Sequence, residues 1–449
     1  MDRRHQTWAS SERFVPQRFV RPFVRFTRIE AASGIVLLAA TIAAMVWANS
    51  RWSATYFQIL ETRLIIDFGP IHFDEDLQHV VNDGLMAIFF FVVGLEIKRQ
   101  VVLGDLSDRK TAALPVMAAL GGMVFPALIY LLINRDAGEA AIRGWGVPMA
   151  TDIAFAVGVL AILGSRIPSG ARLFLLTLAI VDDIGAISVI AIFYTDDLRL
   201  GYLALAVGGL VMAGVAARVG IRSLAFYVPL GVIVWFFTFE SGVHATLAGV
   251  ALGFLTPARP MYPANEFDRR ARAILDTFPD EPDTPQSREH ADHEALLLSE
   301  ISSEAVSPLS RLEYRLQTWS SFVVIPLFAL ANAGINFRDI DIGAALTSTI
   351  ALGVIGGLVL GKTIGISLLS FITVKTGLGR LPEGTNWLHI VGLSVVGGIG
   401  FTVSLFIASL AFEDPEVNEL AKVGILAGSL LAGALGSAVL LRARPVEQP

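Results

Sequence analysis

Apolar residues along this chain come in long unbroken runs separated by short polar breaks, and twelve of the runs read as membrane-crossing helices. They lie at about 30–49, 78–102, 113–133, 144–164, 172–194, 201–217, 223–239, 241–256, 319–334, 343–371, 387–411 and 417–441. No run shows the ten-residue alternation of an outer-membrane barrel strand. Two spans carry interruptions. Span 4 reads GWGVPMATDIAFAVG, with Pro148 and then Thr151–Asp152 near its middle, and span 11 holds Gly397, Gly398, Gly400 and Thr402 at similar depth. Proline and clustered glycine weaken a helix by ~1–3 kcal/mol each relative to alanine, so both spans are expected to break there. Close packing through small residues is the other explanation for the glycines. Between spans 1 and 2, residues 61–76 predict a small β-hairpin turning at Gly69–Pro70, whose edge is also a candidate dimer contact.

The fold class is therefore an all-α polytopic membrane protein. Spans 3–5 and 10–12 run in opposite senses, each with its middle member interrupted, which is an inverted-topology repeat. Opposed N-terminal half-helix ends gather positive partial charge and opposed C-terminal ends negative. Asp152 is placed to offset the first and Lys362 the second. The domains are a basic tail at 1–29, a membrane domain at 30–257, a loop at 258–318, a second membrane block at 319–441 and a tail at 442–449.

Composition changes little in this picture. Only 16% of the 449 residues are charged, and the absence of cysteine excludes disulfides, thiol chemistry and Cys-based metal centres. Charge placement matters more. Walking the loops from a cytoplasmic N-terminus puts 26 of the 34 Lys and Arg inside and 7 outside, Lys422 among the latter, with Lys362 alone left within a span. Both termini are expected inside. The first 29 residues lack a short apolar core with a cleavage site, so span 1 is expected to be a retained anchor. Their QRFVRPFVRFTR pattern is a positive-inside flank or a contact with anionic membrane lipid. Residues 277–293, within an acidic 277–306 segment, read as an irregular polar linker, and His290 and His293 are too sparse for a metal site.

The chemistry centres on span 5, RLFLLTLAIVDDIGAISVIAIFY. Asp182 lies ten residues, ~15 Å of helix, from Arg172, about half the hydrocarbon thickness. One carboxylate at that depth costs at least ~2.5–3.5 kcal/mol, and a neighbour adds repulsion. Adjacent residues point ~100° apart on a helix, so Asp182 and Asp183 face different partners. With the Thr151 hydroxyl they make a donor set for a small hard cation, Na⁺ or Li⁺. Carboxylates withdrawn from water are costly to leave bare, so protons and the cation compete for them. Lys362 is either an ion-pair partner that yields when the cation arrives or a fixed structural charge. A Na⁺-coupled organic-solute symporter is the nearest alternative. A membrane aspartyl protease would need its carboxylates on two helices, and a channel would not saturate. No cofactor, nucleic-acid partner or enzymatic activity is expected.

GLEIKR at 94–99, TDIAF at 151–155, VDDIGAI at 181–187, SGVHATLAGV at 241–250, PLFALANAG at 326–334, GKTIGISL at 361–368 and GIGFTVSLFIASLAF at 398–412 resemble the NhaA family of bacterial Na⁺/H⁺ antiporters, from about residue 30 to 441. That family is itself a standard example of the inverted-repeat architecture. The resemblance implies cation and proton binding at Asp183, Asp182 and Thr151, with Lys362 partnering Asp182 and Asp152 compensating helix ends. It implies a pH response through Glu96, Arg99 and Glu313, modulated by His244. It also implies electrogenic exchange serving pH and sodium homeostasis, a homodimer joined through the hairpin, and the inner membrane as location. Four positions depart from the family pattern. Gln100 stands where an acid follows GLE-x-KR, Tyr314 and Gln317 replace two histidines, and GKT replaces GKP. The pH profile of exchange is therefore expected to be shifted or flattened. Dye-based vesicle assays from neutral to alkaline pH check this, and an unshifted steep activation would contradict it.

Overall fold

Peptide groups in hydrocarbon have no water to bond, so a spanning chain must satisfy them within its own helices. The computed structural model describes residues 32–68, 71–195, 198–279, 284–338 and 341–443. The basic tail and the Gly69–Pro70 turn lie outside the described residues. Helix α1 (Ala32–Ala48) bends by 114° into the short α2 (Ser53–Leu60). Strands β1 (Arg63–Phe68) and β2 (Ile71–Asp76) come next as an antiparallel pair, Arg63 opposite Asp76 and Phe68 opposite Ile71. The Asp76 carboxylate then accepts the His79 N–H at 2.8 Å and starts α3 (Leu77–Leu103).

Next come α4 (Arg109–Asn134), the bent pair α5 (Glu139–Met149) and α6 (Ile153–Leu163), and α7 (Ser169–Phe193), which carries the paired aspartates. Helices α8 (Leu200–Val219), α9 (Leu224–Glu240) and α10 (Thr246–Leu255) form a tight sequential group. Two polar helices, α11 (Ala264–Thr277) and α12 (Pro285–Glu304), lead to α13 (Pro308–Trp319) and, after a π-turn, α14 (Ile325–Asn332). The short α15 (Ile342–Thr347) precedes α16 (Thr349–Lys375), the second bent pair α17 (Trp387–Val396) and α18 (Phe401–Ala411), and finally α19 (Pro415–Arg442). Large aliphatic side chains such as Leu132, Ile192 and Leu430 face outward. With the apolar length of the helices, this is an all-α, multi-pass membrane protein.

Buried apolar side chains from both ends of the chain share one main core, with α1 packed on both α6 and α14. The closest pairings are α4 with α16, α3 with α10 and α17 with α19. Helices α4 and α16 cross backbone to backbone. A Cβ on Gly365 would lie 2.0 Å from the Gly121 carbonyl oxygen, and one on Gly121 would lie 2.1 Å from that of Gly365.

Two expectations need correction. Within the stretch 277–293, residues 285–293 are helical as the first part of α12, while 280–283 lie outside the described residues. Thr284 and Ser287 cap that helix reciprocally, and α11 is laced by Glu266–Arg270 at 2.7 Å and Asp268–Arg272 at 3.0 Å. Charge density suggested disorder, whereas charge spacing supports helix. Lys422, assigned to an outer loop, is buried inside α19.

Gly365→Val is expected to force α4 and α16 apart at a cost of about 1–3 kcal/mol or more. Thermal unfolding in detergent checks this against Gly201→Ala, where an added Cβ meets nothing within 4 Å.

Candidate functional site

The site grows out of two helix breaks that cross. The last turns of α5, Arg143–Met149, tighten to a 3₁₀ helix around Pro148, Asp152 is extended, and α6 leaves at a 43° bend. Helix α17 ends at Val396, and α18 restarts at Phe401 after a 46° bend through the glycines. The Asp152 N–H donates to the Ile399 carbonyl at 2.6 Å and ties one break to the other.

Each break exposes helix ends that need partners. The Asp152 carboxylate accepts the Phe155 N–H at 3.0 Å, the Thr402 N–H at 3.0 Å and the Thr402 hydroxyl at 2.6 Å. One buried acid thus caps the N-termini of both α6 and α18. The Phe401 N–H donates to Ser429 at 3.2 Å, and Ser404 donates to the Val147 carbonyl at 2.7 Å. At the opposed C-terminal ends, Thr151 donates its hydroxyl to the Gly397 carbonyl at 2.7 Å. The Lys362 ammonium donates to Thr151 Oγ1 at 3.0 Å and to the Asp182 carboxylate. A π-turn over Gly357–Gly361 immediately precedes Lys362 in α16. Such bulges are frequent at functional sites because they rotate the next side chains by a fraction of a turn.

The two aspartates differ in kind. Asp182 and Lys362 form an ion pair with both side chains 0% exposed, and Asp182 Oδ1 has no donor among the described residues. The Asp183 carboxylate makes no hydrogen bond among the described residues, and the charges within its electrostatic reach are Asp182, Glu96, Asp152 and Lys362. A buried carboxylate pair with one ammonium between them is short of positive charge. Hydroxyl, carbonyl and carboxylate oxygens at that place suit a small hard cation or a proton as the passing substrate. Among the described residues no group of three or more His, Asp or Glu converges as a metal cluster.

The remaining predicted residues fall at two other places. Arg99 Nε lies 2.8 Å from Glu313 Oε1, and Glu96 is within electrostatic reach of both. Burial pushes the Glu313 carboxyl above the usual carboxylate range, with Arg99 pulling it back. Of the departures from the family pattern, Gln100 is buried and Tyr314 is exposed. His244 is hydrogen-bonded through Nε2 to the Tyr194 carbonyl. The Tyr194 hydroxyl in turn donates to the Arg143 carbonyl at 2.7 Å and accepts the Gly146 N–H at 3.2 Å. His244 is therefore one residue removed from the half-helix α5. Sequence reasoning missed Ser404 and Ser429, since small hydroxyls are common in such helices. It also missed the amide pair Asn332–Asn82, at 2.7 Å.

Comparison with known proteins supplies the context. A family model described as Na⁺/H⁺ antiporter 1 matches residues 24–440. The chain is 47% identical over 424 residues to the Na(+)/H(+) antiporter NhaA of Koribacter versatilis, covering 94% of this chain and 92% of that protein. It is 46% identical over 438 residues to the Na(+)/H(+) antiporter NhaA of Syntrophobacter fumaroxidans, covering 95% and 92%. A third, from Rhodopirellula baltica, is 46% identical over 428 residues, covering 95% of each chain.

Lys362→Met is expected to destabilise the fold by roughly 3–5 kcal/mol, because Asp182 is left buried and unpaired. Adding Asp182→Asn should recover much of that loss. Thermal unfolding of the two single variants and the double variant measures the coupling, and additive losses would mean the pair is not coupled.

Proposed function

The chain belongs to the Na⁺/H⁺ antiporter 1 family, and on that premise we propose that it extrudes Na⁺ or Li⁺ in electrogenic exchange for protons across the bacterial inner membrane. The observation that carries the reading is the unequal treatment of the neighbouring acids: Asp182 is held by Lys362, while Asp183 has no donor among the described residues. Asp183 takes either the cation or a proton, with Asp182 and Thr151 completing the cation's ligands. Occupancy by one excludes the other, and that exclusion couples the two fluxes. Asp152 and Lys362 compensate the crossed helix ends. Lys362 gives up part of its hold on Asp182 when the cation enters.

Twelve spans fit the architecture. Six long helices, two bent pairs, α1, the shorter α9 and α10, and the helix from Ser320 to Asn332 make up that number. In this arrangement spans 3–5 and 10–12 are the inverted repeats, and both termini are cytoplasmic. Arg99, Glu96 and Glu313 lie at the inner mouth and shape the pH response, with His244 acting through Tyr194 at the outer end. The hairpin joins two copies, and membrane lipid surrounds the dimer. The matched relatives are named antiporters, which does not favour the symporter.

Purified protein in proteoliposomes is expected to drive proton movement when Na⁺ is added, and Asp183→Asn should reduce this to background. Each net charge moved is driven by ~2.3 kcal/mol per 100 mV, so an imposed potassium diffusion potential should change the exchange rate. An Asp183→Asn protein exchanging at the parent's rate would overturn the assignment.

A further inference from the structure

The polar helices α11 and α12 pack against each other at the face where α10 ends and α13 begins. They are fixed there. The Leu309 N–H donates to the Pro257 carbonyl at 3.1 Å, the Met261 N–H donates to the Glu304 carbonyl at 3.0 Å, and Arg222 pairs with Glu304 at 2.7 Å. Between the two helices lies an open cleft of about 450 Å³, lined by Leu275, Phe278, Ala295, Leu298, Ser299 and Ser302. Leu275 and Phe278 are 55% and 39% exposed. Asp276, Asp292 and Glu300, each exposed and within a turn of a lining residue, make its rim acidic. Residues 276–304 hold nine acids against one arginine. The arginines of α11 do not answer this charge, because Arg269 and Arg270 pair with Glu266, and Arg272 with Asp268.

A segment of complementary chemistry belongs to the same chain. Residues 13–28, which lie outside the described residues, carry five arginines, four phenylalanines and no acid, with Phe-Val recurring at 14–15, 19–20 and 23–24. They enter from the same face. Helix α1 packs along α14, and Asn49 just past its end donates to the Ile335 carbonyl at 2.8 Å just past the end of α14. The two helices therefore run in the same sense, and the start of α1 lies toward α13. We propose that residues 13–28 dock in the α11–α12 cleft of their own chain, phenylalanines on its apolar lining and arginines on its acidic rim. The docking is independent of the antiport reading. A dense run of acids is repelled by an anionic leaflet, whereas a cationic segment beside it lowers the charge of both. The apolar lining selects the cleft over the rest of the acidic surface. A tethered segment has an effective concentration on the order of millimolar, so modest affinity is enough. Phe19 is thirteen residues from Ala32, a reach of up to ~45 Å.

The absence of native cysteine makes the test direct. Full-length protein in anionic proteoliposomes carries Gln17→Cys together with Ser299→Cys in the cleft, or with Thr376→Cys in the exposed turn after α16, and is treated with a flexible bis-maleimide. Cross-linking within the chain is expected to be about tenfold faster at 299 than at 376, and to lose that advantage in high salt, where the screening length falls to ~3 Å at 1 M. Asp292→Asn with Glu300→Gln should slow the 299 reaction in the same way. Equal rates at the two positions would put the tail on lipid headgroups and overturn the docking. A cross-linked product of twice the chain's mass would give the cleft to a second copy, and that also overturns it. A rate at 299 that neither salt nor the two neutral substitutions change overturns the pairing of arginines with the rim.

Discussion

Breaking a helix inside a membrane leaves peptide N–H and C=O groups without partners where water cannot supply them, and the site is organised around that cost. Two such breaks cross, and each pair of ends is met by a side chain of opposite charge. Asp152 gathers the N–H groups of α6 and α18, and Thr151 with Lys362 meets the carbonyl ends. Either charge would be costly in that buried place without those partners. Because the caps cross from one break to the other, the two half-helix pairs hold each other in place.

This arrangement explains why neighbouring acids on one helix are not equivalent. Lys362 is committed by geometry to Thr151 and Asp182, so its charge reaches Asp183 only at a distance. The deficit of positive charge is thereby localised on one carboxylate rather than shared. On the proposed function, that localised deficit is what a cation or a proton would fill.

Most of the candidate site was legible in the sequence because charges in apolar runs are rare and each demands a reason. Asp152, Asp182, Asp183 and Lys362 stood out for that cause, and Pro148 and the glycines marked the breaks. Ser404 and Ser429 did not stand out, since a hydroxyl costs little in a membrane helix and only its partner reveals its use. The fold was less legible where signals were local. Charge-rich residues after Thr277 suggested disorder, yet the cap at Thr284 starts a helix. Lys422 lies early in α19, where a count of loop charges assigns it to the outside. Only packing shows that its stem is enclosed.

The glycine crossing of α4 and α16 has a consequence for how the lysine moves. Carbonyl oxygens pressed where a β-carbon would otherwise stand leave no room for one helix to slide past the other. Lys362 is anchored three residues before that contact, so its ammonium cannot travel by displacement of its own helix. Its range is the reach of a four-carbon stem, an ångström-scale swing between acceptors, while any larger excursion carries both helices together as one stiff piece.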